Sequence, residues 1–460
     1  MLKKLLPFIL VLLSLVTKAQ SWSEMGTGAS ALNANNDITS IYADANGNIY
    51  AGGNFTNVNG KSYMAKWNGT TWSELGTGPN ALNANSFINS ICPDSSGNLY
   101  AAGGFVDAGG KSYVAKWNGT AWSELGTGAN SLNANQYILS IFSDASGNVY
   151  AAGQFSISTK QYVAKWNGTT WSELGTGANA LNANNYIYTT CIDASGNIYA
   201  AGQFTDINGK SYVAMWNGTT WSELGTGANA LNANNGINSI CSDKNGNIYA
   251  AGNFTDINGK YYVAKWNGTT WSELGGANAL NATYDLPINS ICSDASGNLY
   301  AAGQFADANV KQYVAKWNGT SWSELGTGVN ALNANNNILS ICIDAKGNLY
   351  AAGSFTDANG NRFVAKWGNP TTTGITSSQT TKTLTSYPNP TAGNVTIDTP
   401  EAGQVNVYNS WGEIVASQQI TTENASTNLI NLENVNSGIC TIVFTGQNAT
   451  TYAPIKIVKK

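Results

Sequence analysis

The 460-residue chain contains no histidine, and Asp, Glu, Lys and Arg together make up only 10% of it. Without an imidazole there is no Ser-His-Asp or Cys-His nucleophilic centre of the usual kind and no histidine metal ligand, which removes most hydrolase and zinc-enzyme readings. The net charge of −4 gives no electrostatic reason to bind nucleic acid or an acidic membrane surface. Beyond Val16 no apolar run is long enough to cross a bilayer, so no transmembrane segment is expected in the mature chain. What is plentiful is Gly (50), Trp (15) and Tyr (22), within 42% hydrophobic residues. That balance is too apolar for a disordered chain and leans towards β structure.

The first residues read as an export signal. Lys3 and Lys4 precede the apolar run Leu5 to Val16, and Thr17-Lys18-Ala19 supplies small residues at a cleavage site. The run is too short to span a membrane, so residues 1–19 are expected to be removed.

From there to residue 367 one unit of about 50 residues recurs. One Trp series runs Trp22, Trp72, Trp122, Trp171, Trp221, Trp271 and Trp322, and a second runs from Trp67 to Trp367. Each unit holds four β-like runs, exemplified by ILSIFSD, NVYAAGQF, YVAKW and WSELG, joined by three turns rich in Gly and Asn. Four strands and three turns make one propeller blade. The chain enters with an isolated outer strand at Trp22 and leaves after the third strand at Trp367, so the ends supply one shared blade. The expected fold is therefore all-β: a seven-bladed β-propeller over 20–367, closed by the N-terminal strand, whose closure avoids unpaired edges. Its repeats resemble those of kelch-like and NHL-like propellers.

Local chemistry fits this reading. Gly47 and its six equivalents follow an Asp-turn where a left-handed residue is needed, and Asn68-Gly69 and its counterparts are hairpin signals. Each Asp-turn offers about one carboxylate, too few for calcium, which takes six to eight oxygens. Cys92, Cys191, Cys241, Cys292 and Cys342 share a repeat position filled by Tyr42 and Phe142 elsewhere, which marks an apolar packing site with free thiols. The Glu two residues after each outer Trp reads as a charge protecting the sheet edge. No metal, cofactor or catalytic set is expected, since the largest irregularity, Tyr284-Asp285-Leu286-Pro287, supplies a lone carboxylate where a glycosidase needs two.

Positions that vary on a constant scaffold point to function. Just before the first strand stand Asp37, Phe87, Tyr137, Tyr186, Gly236, Pro287 and Asn337, and two residues later Thr39, Asn89, Leu139, Tyr188, Asn238, Asn289 and Leu339. Strand alternation sets both on one face, opposite the recurring Ile, near the mouth of a central channel and rimmed by the Asn-rich loops. Phe87, Asn89, Tyr137, Tyr186, Tyr188, Asn238 and Asn289 are the candidate ligand-binding residues, because amides and aromatic faces suit sugars or polar protein surfaces.

Residues 368–384 are a Ser/Thr-rich linker by composition, and short alternating runs beyond it suggest a small β-sandwich over 385–460. Tyr387-Pro388-Asn389-Pro390, Gly393-Asn394-Val395, VNVYNSWGEIV, NLENVNSGICTIVF and the basic KIVKK end follow in order. This region resembles the type A C-terminal sorting domain of the type IX secretion system. By that resemblance Tyr387, Pro388, Asn389, Pro390, Gly393, Gly412, Gly438, Lys456, Lys459 and Lys460 belong to a sorting signal read by the secretion machinery, with passage across the outer membrane and anchoring or release. Cys440 departs from the aromatic usual after Ser-Gly. The combined reading is a secreted or cell-surface, non-catalytic binding or adhesion module, with a lectin and a polysaccharide-degrading enzyme as the alternatives.

Overall fold

The computed structural model describes residues 20–280, 286–368, 384–399, 401–409, 414–421, 427–446, 452 and 455–460. Two compact units, Met1–Pro370 and Thr371–Lys460, make up the chain. The expected leader at 1–19, most of the linker, Asp285 and Gly412 lie outside the described residues.

The first unit is a succession of four-stranded antiparallel sheets, arranged like a β-propeller. In the fifth, Ile237–Ser242, Ile248–Gly252, Ala264–Trp266 and Trp271–Glu273 pair in chain order. Gly246, at φ +79°, turns the chain between the first two strands, a conformation that a Cβ disfavours. Six such sheets are continuous in sequence. A seventh takes Ile338–Ile343, Leu349–Gly353 and Ala365–Gly368 from one end of the repeat region and Ser21–Glu24 from the other, with Trp22 opposite Trp367.

Each apolar cluster draws on two successive sheets. Tyr199, Ala201 and Val213 of the fourth pack on Ile237, Ile248 and Phe254 of the fifth, while Tyr350, Ala352 and Val364 of the last pack on Ile38, Ile49 and Phe55 of the first. Phe55, Phe105, Phe155, Phe204, Phe254, Phe305 and Phe355 are fully buried at these interfaces. Burying each contributes about 2–3 kcal/mol, which makes the sheet-to-sheet contact, and not the single repeat, the stable element. Outer strands are stitched in the same direction: Trp221 Nε1 donates to the Leu174 carbonyl (2.8 Å), and Trp22 Nε1 donates to that of Leu325 (2.8 Å). The seam between last and first sheets alone carries the chain's sole arginine, with Arg362 Nε 3.5 Å from Asp37 Oδ1.

One feature departs from simple alternation. In every first strand the register shifts, as between Ile237 and Ser239, leaving Asn238 and its equivalents as the extra residue of a β-bulge. The bulge explains why Ile237 and Ile240, three apart, are both buried. It also presses the backbone close: a Cβ on Gly252 would lie 2.4 Å from the Gly236 carbonyl oxygen.

The shared cysteine position packs between sheets as expected, with Cys191 against the fifth-sheet core and Phe142 against the fourth. All six cysteines are free, and burial pushes the Cys92 and Cys191 thiols well up. The glutamates differ from expectation. A three-residue strand puts Trp and Glu on one side and only Ser outward, so Ser73 is the exposed residue while Glu74 is half-buried and accepts from Asn57 Nδ2 (3.3 Å). Edge protection by a solvated charge therefore gives way to a partly buried carboxylate facing the second turn.

In the second unit one sheet runs Ser386–Tyr387, Asn394–Asp398, Thr427–Asn431, and the other Ile414–Ile420, Gly403–Tyr408, Gly438–Gly446, Ile455–Lys459. Val395, Ile397 and Ile430 of the first share one core with Val405, Val407, Ile442 and Phe444 of the second. Cys440 is buried in that core, so the departure from an aromatic is absorbed as packing.

Candidate functional site

The carboxylates that could have served chemistry are committed to the scaffold. Asp243 Oδ1 accepts from the Asn245 and Asn247 amides (2.8 and 3.0 Å), and Oδ2 accepts from Asn247 Nδ2 (2.7 Å) and the Tyr249 hydroxyl (3.1 Å). The same four-bond arrangement recurs at Asp94, Asp144 and Asp344. Burial alone would raise the Asp243 pKa, but these donors outweigh it and hold the value below the ordinary range. Among the described residues no group of three or more His, Cys, Asp or Glu side chains could hold a metal ion.

The varying residues lie together, where the first strands begin. Tyr137 and Tyr186 are exposed, at 41% and 37%, while Phe87 and Tyr188 are half-buried. Phe87 and Tyr137 meet edge to face at 5.2 Å, joining neighbouring sheets into a short aromatic arc. The three asparagines behave differently. Asn89, Asn238 and Asn289 each donate through Nδ2 to a backbone carbonyl of the next sheet, at Leu139, Ile288 and Ile338 (2.8, 3.1 and 3.0 Å). Their side chains tie first strands together across the bulge.

The Asn-rich loops are likewise partly structural. Asn234 Nδ2 donates to the Thr255 carbonyl (3.3 Å) and its Oδ1 accepts the Thr255 amide (2.9 Å), clamping the loop to the second turn of its own sheet. Asn35, Asn135, Asn184 and Asn335 repeat the clamp. What remains polar and uncommitted on this face is a smaller set.

Two further varying series border the face. Asn54, Gly104, Gln154, Gln203, Asn253, Gln304 and Ser354 each donate a backbone amide to the residue before the first strand, as Gln203 does to the Tyr186 carbonyl (2.9 Å). Their identities match their neighbours: Gly104 leaves room for Phe87, whose ring would sit 2.6 Å from a Cβ there. The second series is Ser62, Ser112, Gln161, Ser211, Gln312 and Arg362, each exchanging backbone bonds with an Ala across the seam, as Ser211 does with Ala233, and Tyr261 at the equivalent repeat position. Both were visible as repeat positions of unequal size, but only the seam geometry gives them a meaning. Where the fourth and fifth sheets meet, a polar cleft of about 260 Å³ opens.

In the second unit the two ends of the sorting motif meet. Asn389 Nδ2 donates to the Lys456 carbonyl (2.8 Å) and its Oδ1 accepts the Val458 amide (2.9 Å). Thr391 continues this along Ile455–Lys459, exchanging backbone bonds with Val458 and Lys460, so residues 389–391 cover the strand's open edge. Lys459 is buried and donates to the Ala392 carbonyl (2.8 Å), whereas Tyr387, Lys456 and Lys460 are exposed. Gly438 adopts φ +154° at the start of its strand, and Gly393 accepts from the Leu432 amide.

Comparison with solved structures shows likeness of fold. The extracellular domain of the hybrid two-component system BT3049 from B. thetaiotaomicron aligns over 96% of this chain and 57% of its own, with 11% identity and a TM-score of 0.51. PorZ, an essential surface component of the type IX secretion system of Porphyromonas gingivalis, aligns over 92% and 59% with 15% identity and a TM-score of 0.49. The chain thus spans less than two thirds of the length of either. The WD40 β-propeller domain of Doa1 aligns over 77% of this chain and 98% of its own, at 14% identity and a TM-score of 0.48. No curated protein matches the chain. Residues 385–460 match the secretion system C-terminal sorting domain: the chain carries a type IX sorting domain, which directs export across the outer membrane to the cell surface or the extracellular space.

Proposed function

We propose that this is an exported, non-catalytic binding or adhesion module, in which a seven-bladed propeller over residues 20–367, closed by the strand Ser21–Glu24, presents one variable face to a partner. In this reading residues 1–19 are the leader, 368–384 the linker, and 385–460 engage the secretion machinery. Closure is supported by the pairing of Trp22 with Trp367 and by the apolar cluster shared between first and last sheets. The observation that carries the function is the aromatic set Phe87, Tyr137, Tyr186 and Tyr188, partly exposed on a scaffold whose turn Asp and loop-clamping Asn side chains are hydrogen-bonded within it. Partly exposed aromatic surface of this kind is typical of recognition sites, while catalysis would need a singular acid, base or metal that the repeated turns do not supply.

The test is simultaneous substitution of Tyr137, Tyr186 and Tyr188 by Ala in the full exported chain, with binding to glycan arrays, immobilised extracellular proteins and whole cells measured in parallel. Loss of the wild-type binding supports the reading. Unchanged affinity, or polysaccharide turnover by the wild-type chain, overturns it.

A further inference from the structure

The seams between sheets are built to one plan but filled differently. In repeat order the seam position and the residue before the next first strand go together as Ser62 and Phe87, Ser112 and Tyr137, Gln161 and Tyr186, Ser211 and Gly236, Tyr261 and Pro287, Gln312 and Asn337, and Arg362 and Asp37; the last two meet as an ion pair, and Ser211 and Gly236 line one cleft. Only between the fourth and fifth sheets are both members small. That coincidence leaves the cleft of about 260 Å³ lined by Asn185, Gln203, Thr205, Ser211, Asn235 and Gly236 among others.

We propose that this cleft is a binding site for a single uncharged sugar residue. The inference rests on the binding-module reading, and apart from Tyr188, which stands behind Gly236, it uses different side chains. The cleft opens to solvent and its volume of about 260 Å³ leaves room for one pyranose ring. No charged side chain lines it, so nothing there would offset the desolvation of a carboxylate, phosphate or ammonium.

Its polar groups are available. Asn185 and Asn235 each use Oδ1 to accept the following backbone amide, from Tyr186 and Gly236 (2.8 and 2.7 Å), which fixes the side chain and leaves Nδ2 free to donate. Among the described residues the Gln203 amide and the Ser211 hydroxyl make no hydrogen bond within the chain. Two loops, one from each sheet, thus present fixed amide donors beside a hydroxyl and a second amide, the mixed donor and acceptor set that vicinal hydroxyls require. The lining is predominantly polar, and the space beside Gly236 is kept open by the absence of a side chain: a Cβ there would lie 3.3 Å from Gln203 Cγ and 3.6 Å from Tyr188 Cε2. A ligand rich in hydroxyl groups suits such a lining.

The repeats supply their own test. Ser211→Tyr copies the residue at the next seam and Gly236→Asn copies the residue before the last first strand, so each is a side chain that this scaffold already holds at the equivalent place. The full exported chain is titrated with free glucose, galactose, mannose, fucose and N-acetylglucosamine by ligand-observed NMR and calorimetry. The expected result is saturable binding of at least one of them at one site per chain, weakened tenfold or more by either substitution, with an unchanged melting temperature and with Val58→Ser, at an exposed turn position outside both the cleft and the aromatic arc, behaving as wild type. Absence of saturable binding to all of these sugars, two or more equivalent sites, or indifference to both substitutions overturns the proposal. If the wild-type chain still binds cells through the tyrosine arc in that event, the module reading stands and only the cleft fails.

Discussion

Replacing Trp22 by Ala tests closure where it is made. The side chain is half-buried, packs on Trp367 at 5.7 Å between ring centroids and donates to the Leu325 carbonyl. Full burial would make Trp→Ala cost about 3–5 kcal/mol. Half burial reduces the packing part to roughly 2 kcal/mol, and the unpaired carbonyl adds about 1 kcal/mol. A total near 3 kcal/mol, with an m-value of about 5 kcal/mol/M in guanidinium chloride for a unit of this size, lowers the unfolding midpoint by about 0.6 M. Trp171 provides the internal standard, since it is also half-buried and makes the same bond to Leu125 at 2.9 Å, but lies in a sheet continuous in sequence. In a closed ring, Trp22→Ala and Trp171→Ala give equal shifts in denaturation followed by far-UV circular dichroism. Trp22→Phe, which keeps packing and loses the donor, gives about a third of the effect. A shift for Trp22→Ala below one third of that for Trp171→Ala would refute closure, because an open array would merely fray at one end.

The β-bulge makes Gly252→Ala costly: its Cβ meets backbone at 2.4 Å, and a loss above ~3 kcal/mol is expected in denaturant titration, against under ~1 kcal/mol for Gly109→Ala, where the backbone is not left-handed and only the Asp107 side chain lies near, at 3.3 Å. Stability should peak in mild acid. Burial raises the pKa of Glu24, Glu173 and Glu324, with Asp neighbours adding to the first and last, so their contribution is complete below about 4.5 and is lost as pH rises through the raised values. The turn carboxylates Asp94, Asp144, Asp243, Asp294 and Asp344 have lowered values, so their contribution holds above about 3.8 and is lost as pH falls through them. Melting temperatures that fall steadily from pH 7 to pH 4.5 would contradict this pattern. Thiol titration with a charged aromatic disulfide should be slow in the native chain at Cys92, Cys191, Cys241, Cys292 and Cys342 and complete on unfolding; rapid native reaction would show them accessible.

The repeat made most of the first unit legible. Strand number, turn chemistry and the role of the cysteine position all follow from comparing seven copies, because each copy is an independent trial of what a position tolerates. The bulge was not legible, since Ile237 and Ile240 read as ordinary alternation with one exception, and only the pairing with Gly252 reveals the extra residue. The same bulge decided the candidate asparagines: varying identity flagged Asn89, Asn238 and Asn289, but their amides lie within reach of the next sheet and are used there. The tyrosines of the same list remain at the surface. Ser211 was not singled out, and Gly236, though in the varying series, was not taken as a candidate, for the opposite reason. Small residues carry no chemical signal of their own, and the space they leave exists only when two sheets are brought together.

The pairing of Ser21–Glu24 with Ala365–Gly368 also governs timing. Every other outer strand finds its partner a few residues away, whereas this one waits for nearly the whole repeat region to be made, and bringing such distant segments together is entropically the slowest step. The strand Ser21–Glu24 therefore has no partner until Ala365–Gly368 is present. The last sheet is the clasp, and a chain truncated anywhere before Ala365 has nothing to fasten.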